Sequence, residues 1–360
     1  MKSTLWNYGW AQQMQRMHGE IWDRLKLLNI NRRMKEKVIA TLLYVILVLG
    51  GCELVWISPD PQPTPEVVFE HLWRDLNERY AYFDHKGVDW GELYSVFRPQ
   101  ISSDMDDQKL FEVLGEMLHE LKDGHVNLSS DFNRSRNWEW YQQFPMNYNE
   151  NVILLTYLKN DHWISGSLYH QMHGEVLYIN YRSFAQEISE ADLNAIMERA
   201  AGTKGVILDI RSNGGGNLAN AYRLAGCFTD SRTRFAEQRW KNGPRQDDFT
   251  PWSPMFVVPR NGLRYAGKVV VLTNRRAYSA STFFAQMMRS LPGVQLLGDQ
   301  TGGGGGTPAF GELPNGWIYR FSATQTIDLE GRHLEDGVPV DLEVRLRRTD
   351  ENAGRDTLIE

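Results

Sequence analysis

From residue 174 onward, short apolar runs rich in β-branched residues alternate with amphipathic helical patterns. Apolar side chains recurring every three or four residues indicate helices, whereas short apolar runs between turns indicate buried strands. The predicted strands are residues 176–181, 205–210, 268–273 and 294–297, and the predicted helices are residues 189–201, 217–228 and 281–291. Such alternation builds a largely parallel, buried sheet, so we predict an α/β fold with its core in residues 174–346.

Two segments upstream of this core also show helical spacing. Their apolar positions are Phe69, Leu72, Trp73, Leu76, Tyr80 and Phe83 in the first, and Leu110, Val113, Leu114, Met117, Leu118 and Leu121 in the second. We therefore expect a small N-terminal helical domain in residues 66–125. Residues 126–173, rich in Trp, Tyr and Asn, favour an aromatic-rich linker or packed cover, with a substrate groove as the alternative. Residues 347–360 are expected to form a polar tail.

The segment before the helical domain is typical of a bacterial lipoprotein signal peptide. Its apolar run, residues 38–51, is shorter than the roughly 20 residues that span a bilayer, and it suits a signal core of about 7–15 residues. Residues 34–51 would be removed and Cys52 lipidated, leaving residues 52–65 as a Pro-rich tether. Residues 1–33 would be an extension or a mis-assigned start, with Met1 and Met34 as candidate start sites. An uncleaved anchor helix is the alternative.

These features place the protein in the bacterial cell envelope, facing the periplasm or the exterior, and leave open which membrane holds the lipid. The formal net charge of -6 and the lack of a basic run in the body argue against a nucleic-acid partner. Beside Cys52, Cys227 is the other cysteine, which excludes a disulfide framework or a cysteine zinc site. His170 and His173 are interpreted as a loop pair, and we expect no metal and no cofactor.

Three segments carry the residue types of a serine hydrolase: residues 121–125, 208–216 and 273–281. Ser279 follows a predicted strand and precedes a predicted helix, which is where a nucleophilic hydroxyl is exposed at a positive helix end. Ser281 is a plausible N-cap of that helix, so Ser279 is the preferred nucleophile. The glycine-rich turn could direct backbone N–H groups at a developing oxyanion.

His125 is the candidate base in the first of these segments. The preceding helix is expected to end at Asp123-Gly124, with Gly124 supplying the left-handed turn that delivers His125 to a defined edge. His119, on the same helix, is expected to be an ordinary surface residue.

The segments Ser279-Ala280-Ser281 and Leu208-Asp209-Ile210-Arg211 with its glycine turn resemble motifs of the tail-specific, or C-terminal processing, serine peptidases. The resemblance is to the tricorn-core-like, retinoid-binding-protein-like branch, and it extends from about Pro65 to Val344. It implies a crotonase/Clp-protease-like core of βα units and Ser279 as nucleophile. It also implies an oxyanion hole from the N–H groups of Gly215 and Ala280, with Gly214 as the alternative, and supporting roles for Asp209 and Arg211.

The best-known branch of that family uses a lysine base, whose position falls in the glycine run, residues 302–306. We expect this run to be a mobile surface loop that borders the site. Lys268 is the last lysine of the chain, which excludes a Ser–Lys dyad of the usual order. The resemblance implies His125 as base instead, and an ordinary pKa of about 6.5 suits that role. It also implies that Glu335 orients the imidazole, with Asp336 as its rival.

The sequence therefore predicts a serine peptidase that acts on peptides or unfolded proteins through an acyl-enzyme. The segment between His125 and Gly174 is too short for the PDZ domain of common family members, which leaves cleavage specificity open. Two alternatives remain: a catalytically silent peptide- or ligand-binding lipoprotein, and a crotonase-like esterase. The oligomeric state is also open.

Overall fold

The computed structural model describes residues 16–24, 37–42, 62–137 and 139–360. The chain divides into two compact units, residues 1–61 and 62–360. The first contains helices α1 (residues 16–24) and α2 (residues 37–42). Across these described ranges, no helix is both long and apolar enough to cross a membrane. Cys52 and most of the predicted signal peptide lie outside the described residues.

The second unit contains the helices α3 (Pro65–Arg79), α4 (Phe83–Lys86), α5 (Trp90–Phe97), α6 (Asp107–His119), α7 (Glu139–Gln142), α8 (Glu150–Val152), α9 (Glu190–Ala200), α10 (Leu218–Ala225), α11 (Ala280–Arg289) and α12 (Arg348–Asn352). Its strands are β1 (Asn127–Ser129), β2 (Arg134–Arg136), β3 (Trp163–Ser165), β4 (Leu168–His173), β5 (Val176–Tyr181), β6 (Gly205–Asp209), β7 (Thr233–Trp240), β8 (Ser253–Val257), β9 (Lys268–Thr273), β10 (Val294–Gly298), β11 (Pro308–Glu312), β12 (Ile318–Ser322), β13 (Thr324–Ile327) and β14 (Leu342–Glu343).

A seven-stranded sheet in the order β14-β10-β9-β6-β5-β4-β3 forms the centre of the fold. Strands β14, β10, β9, β6 and β5 pair in parallel, and β4 and β3 extend the sheet antiparallel. Helices α9, α10 and α11 connect and cover these strands, and their apolar faces join the sheet in one core. The predicted α/β fold is therefore confirmed, and the predicted strands and helices occur within a few residues of their expected bounds.

The helical region is not a separate domain, contrary to the prediction of one in residues 66–125. Helix α3 starts as the Pro-rich segment ends, since Thr64 caps the N–H of Val67 and Pro65 occupies the first turn. Its buried face packs in one core with α6 and with side chains of β1 and β12, such as Tyr319 and Phe321. Distant parts of the chain therefore complete a core that the helices cannot close alone.

Residues 126–173 and 347–360 are more ordered than the predicted cover and tail. The first contains β1 and β2, which join β12 and β11 in a four-stranded sheet, as well as β3 and β4 of the central sheet. In the second, Asp356 is fully buried and lies 2.9 Å from the guanidinium of Arg211. Arg211 also pairs with Asp209, and a buried guanidinium needs such partners. The C-terminal segment therefore completes the support that the sequence assigned to Asp209 and Arg211.

Candidate active site

Adjacent parallel strands bring two of the predicted motifs to one edge of the central sheet. Strand β6 leads into the glycine turn, residues 213–216, and its neighbour β9 leads into the loop that ends at Ser279. The carboxyl ends of parallel strands are where sites form in α/β sheets. The two loops are joined because the carbonyl oxygen of Asn213 accepts from the N–H of Tyr278 at 3.1 Å and the hydroxyl of Ser281 at 2.8 Å.

Ser279 occupies a backbone conformation that few non-glycine residues adopt, with φ 57° and ψ -120°. Its N–H donates to the carbonyl oxygen of Gly303 at 2.9 Å, and its own carbonyl oxygen accepts from the N–H groups of Thr282 and Phe283. Such strain at a sharp strand-to-helix turn is typical of a nucleophile, whose hydroxyl it holds out of the surrounding backbone. Helix α11 begins at the next residue, so the positive helix end faces the same point.

Ser281 is not the N-cap that the sequence suggested. It lies inside α11 and is fully buried, and its hydroxyl donates to the carbonyl oxygen of Asn213. The N-cap position belongs to Ser279, whose side chain makes no capping hydrogen bond. The hydroxyl of Ser279 is therefore left for another partner.

That partner is His125, whose imidazole Nε2 lies 3.0 Å from Oγ of Ser279. The turn before His125 differs from the prediction, because the left-handed residue is Lys122, at φ 46°, rather than Gly124. The carboxylate of Asp123 then accepts the N–H of His125 at 2.7 Å. His119 lies outside the site and contacts the hydroxyl of Ser135 at 3.0 Å.

The imidazole of His125 is only 2% exposed. Burial lowers its pKa to about 4, the charge of Asp123 opposes this shift, and Arg320 and Arg136 add to it. A histidine with this pKa is neutral at neutral pH, and its unprotonated nitrogen can accept a proton. On the other side of the ring, Nδ1 lies 3.5 Å from the hydroxyl of Ser322, a long hydrogen bond.

Glu335 does not contact His125 in the way that the resemblance implied. Its Oε1 lies 3.0 Å from Nζ of Lys86, its Oε2 accepts the N–H of Gly305 at 3.1 Å, and no hydrogen bond joins it to the imidazole within the described residues. Burial raises the pKa of Glu335 to about 7, Asp123 adds to this shift, and Lys86 opposes it. Asp336, the rival, instead pairs with His85 at 3.0 Å.

The glycine run, residues 302–306, is a packed part of the site and not the expected mobile surface loop. Residues 303–306 are buried, and each lacks room for a side chain. A Cβ on Gly303 would overlap the carbonyl oxygen of Glu335, and one on Gly304 would lie 2.5 Å from the ring of Tyr278. The run is rich in glycine because the backbone around Glu335, the ring of Tyr278 and the side chain of Ser322 approach it closely. It also supplies the carbonyl group that holds Ser279.

The predicted oxyanion donors lie beside the serine, but they differ in whether the N–H group already makes a hydrogen bond. The N–H of Ala280, at the first position of α11, makes no hydrogen bond within the described part of the chain. The N–H of Gly215 donates to Oδ1 of Asn213 at 3.0 Å, whereas that of Gly214 makes no hydrogen bond there. A Cβ on Gly215 would lie 2.9 Å from Cβ of Ser279, so only glycine allows this approach. The N–H of Ala280 is therefore free to donate to a bound group, whereas that of Gly215 is engaged by Asn213.

Two neighbours of His125, Asp123 and Ser322, were not recognised from the sequence as part of the site. Asp123 was present in the Asp-Gly-His segment, where its spacing to His125 is the usual one for a side chain that accepts a nearby backbone N–H. Ser322 lies on β12, far along the chain, and no local pattern points to it.

A metal site was not expected, and the described residues contain no group of three or more potential metal ligands. His170 and His173 lie on β4 and not in a loop: the first contacts the hydroxyl of Ser165 and the second the carbonyl oxygen of Tyr157. Cys227 is buried in the core and forms no disulfide bond within the described ranges.

Two models of known peptidase families match parts of the chain. Residues 175–344 match the model of peptidase family S41, and residues 61–119 match that of the tricorn protease C1 domain. The carboxy-terminal processing protease CtpA of Bacillus subtilis is 25% identical over 162 residues, which are 45% of this chain and 32% of that protein. The chain therefore spans about a third of this curated relative.

Two solved structures extend the comparison to most of the chain. A Parabacteroides merdae protein assigned as a peptidase is 38% identical, with a TM-score of 0.79 over 83% of this chain and 95% of that one. Mature CPAF, at 10% identity, has a TM-score of 0.61 over 82% of this chain and 95% of that one, which shows a shared fold alone.

Proposed function

The chain belongs to peptidase family S41, and on that premise we propose that it hydrolyses peptide bonds with Ser279 as nucleophile and His125 as general base. The family consists of serine-type hydrolases. The observation that carries the proposal is the 3.0 Å contact between Nε2 of His125 and Oγ of Ser279. A hydroxyl is a weak nucleophile until an adjacent base accepts its proton.

In the proposed reaction, Oγ of Ser279 attacks the carbonyl carbon of the scissile bond while Nε2 of His125 takes the hydroxyl proton. The N–H of Ala280 stabilises the oxyanion. A second hydrogen bond comes from the N–H of Gly215, after it breaks its bond to Asn213, or from the N–H of Gly214. His125 then gives the proton to the leaving amine, and an acyl-enzyme forms. Water, deprotonated by the same imidazole, releases the acid and restores the serine.

The charge that forms on the imidazole has a partner in Asp123. This buried carboxylate holds the backbone of His125 and favours the protonated ring. We propose that Asp123 takes the electrostatic part of the role that the resemblance gave to Glu335. Glu335 would act through structure, because it anchors Gly305 and Lys86.

A casein assay tests this function against its alternatives. The full wild-type chain should release fluorescence from fluorescein-labelled casein, and Ser279→Ala should not. Hydrolysis of short-chain p-nitrophenyl esters with no cleavage of casein or peptides would favour an esterase of the crotonase-like architecture. A folded wild type without either activity would favour a silent binding protein.

We also propose that the protein is a lipid-anchored lipoprotein of the cell envelope, with the lipid on Cys52. The apolar run that ends in Leu49-Gly50-Gly51-Cys52 and the Pro-rich segment after it support this proposal. Expressed in a bacterial host, the wild type should partition into the detergent phase of Triton X-114, and Cys52→Ser should move to the aqueous phase. Equal partitioning of both would contradict lipidation at Cys52.

A further inference from the structure

One row of side chains crosses the four-stranded sheet, whose strand order is β11-β12-β1-β2. The strand registers pair Phe310 with Arg320, Arg320 with Asn127, and Asn127 with Arg136. Residues directly opposite one another on neighbouring strands point to the same face of a sheet. The row therefore places one arginine on each side of Asn127, and an exposed phenylalanine, Phe310, lies at its end.

This row lies on the face that carries the catalytic histidine. On β12, Tyr319 and Phe321 are buried in the helical core, so the alternate residues Arg320 and Ser322 point the other way. Ser322 is the residue whose hydroxyl faces Nδ1 of His125. Arg320 therefore occupies the next row from the imidazole on the same face.

Asn127 ties the row to the histidine from the neighbouring strand. Its side-chain amide donates to the carbonyl oxygen of His125 at 3.0 Å. A peptide whose scissile bond lies at Ser279 would thus have its neighbouring residues within reach of this row.

Arg320 lacks the counter-ion that a half-buried guanidinium normally has. Within the described residues its buried Nε has no hydrogen-bond partner and no carboxylate forms a direct ion pair with it, although the charge of Asp123 acts on it at longer range. Its nearest aromatic contact is the ring of Phe310, at 5.7 Å. Burial lowers the pKa of Arg320 and the charge of Arg136 lowers it further, whereas Tyr278 and the carboxylate of Asp123 oppose this shift. A bound anion would remove both costs.

The other charges on this face do not neutralise it. Arg134 and Arg136 share the face on β2, and the carboxylate of Glu312 lies exposed on the outer strand β11. Arg134 is engaged by the hydroxyl of Ser129 at 3.2 Å. Arginines therefore outnumber carboxylates on this face of the four-stranded sheet, and the buried carboxylate of Asp123, beside His125, offsets only part of their charge, although the chain as a whole is acidic.

We infer that Arg320, with Arg136 beside it, binds a carboxylate group of the substrate peptide close to the scissile bond. The planar fork of an arginine matches the two oxygens of a carboxylate. The carboxylate can come from an aspartate or glutamate side chain or from the free C-terminus of a short peptide. The inference rests on the proposed function for its substrate class, and the binding step itself does not require a working nucleophile.

The test measures binding to the full chain carrying Ser279→Ala. Three rhodamine-labelled alanine- and leucine-based heptapeptides differ only in charge: a central glutamate with a C-terminal amide, a central glutamine with a C-terminal amide, and a central glutamine with a free C-terminus. Fluorescence anisotropy gives each dissociation constant. We expect one or both carboxylate peptides to bind about tenfold or more tightly than the neutral one, as charge-assisted hydrogen bonds imply.

Added substitutions locate the effect. Arg320→Gln should abolish the tenfold preference, Arg320→Lys should keep part of it, and Arg134→Gln, on the same face but in the next row, should leave it intact. Circular dichroism confirms folding, and the lysine variant keeps the charge should the glutamine variant unfold. Equal affinities for the three peptides, no measurable binding, or a preference that survives Arg320→Gln would overturn the inference.

The failure of the proposed function is a separate result. If the wild type binds carboxylate peptides but does not react with a fluorophosphonate, the carboxylate site is supported and the peptidase function is contradicted. A wild type that reacts with the probe but binds all three peptides equally keeps the nucleophile and loses the carboxylate site. Preference for the glutamate peptide alone assigns an acidic side chain, and preference for the free C-terminus alone assigns the chain end.

Discussion

Nε2 of His125 lies 3.0 Å from Oγ of Ser279, across 154 residues of sequence. The first residue follows helix α6 and precedes β1, and the second follows β9 of the central sheet. The contact therefore joins the helical layer to the α/β core.

The pH dependence of the serine's reactivity should follow the lowered pKa of His125. Because burial lowers that pKa from its ordinary 6.5 to about 4, the imidazole stays neutral as the pH falls through 6 and 5. The rate of fluorophosphonate labelling should fall with a midpoint near pH 4, measured where circular dichroism shows the native fold. A midpoint near 6.5 would contradict the buried, neutral base.

Arg320→Gln is the matched variant for this profile. The guanidinium of Arg320 lowers the pKa of His125, so its removal should move the midpoint to higher pH. The free energy of unfolding of the wild type should also decrease as the pH falls from about 6.5 to 4. In this range His125 binds a proton in the unfolded state but not in the native state.

Asp123→Asn should slow labelling of Ser279 more than Glu335→Gln does. The carboxylate of Asp123 accepts the N–H of His125 at 2.7 Å and favours the protonated imidazole, whereas Glu335 has no hydrogen bond to the ring. We expect a loss of about tenfold to a hundredfold for Asp123→Asn, the size that corresponds to a lost hydrogen bond to a charged group, and less than about tenfold for Glu335→Gln. The reverse order would restore Glu335 as the partner of the histidine.

Glu335→Gln should change how stability depends on pH. Burial raises the pKa of Glu335 from 4.5 to about 7, so between these values the folded state binds more protons than the unfolded state. This carboxyl group therefore lowers the free energy of unfolding as pH rises, by about 2 kcal/mol from pH 5 to 7.5. Urea unfolding should show that the free energy of unfolding of Glu335→Gln, relative to that of the wild type, is higher at pH 7.5 than at pH 5. An unchanged difference would refute the raised pKa.

Gly303→Ala should disrupt both folding and the site. At φ 94° alanine is strained, and its Cβ would overlap the carbonyl oxygen of Glu335, so the carbonyl group that holds Ser279 would shift. Gly316→Ala is the control, because it has a similar φ of 84° and nothing within 4 Å of the added carbon. The control should cost about 1 kcal/mol and leave labelling unchanged. Equal effects in the two variants would mean that the glycine run is not packed against Glu335.

Local patterns in the sequence were sufficient to predict the central sheet. Strands β5, β6, β9 and β10 are continuous apolar runs because both faces are covered, and helix α9 begins at a capping box formed by Ser189 and Asp192. The second sheet could not be predicted, because β1 and β2 are short and β1 pairs on its other side with β12, from a remote part of the chain. Nothing within β1 indicates that partner.

The same distinction applies to the site. The motifs that contain Ser279 and His125 made both residues candidates, and the fold places their side chains 3.0 Å apart. The glycine run was interpreted as mobile because glycine favours both flexibility and close packing, and only the backbone of Glu335 and the ring of Tyr278 decide between these. The neighbours of His125, such as Ser322 and Arg320, follow from sheet register, which the sequence does not state.

Labelling with a fluorophosphonate probe tests the central claim most directly. The full wild-type chain, Ser279→Ala and His125→Ala would be compared at pH 7, with circular dichroism as the folding control. The account predicts one probe per wild-type chain, none on Ser279→Ala, and labelling of His125→Ala that is slower by about a hundredfold or more, the usual contribution of a general base. Labelling of Ser279→Ala at the wild-type rate, or a folded wild type that never reacts, would contradict it.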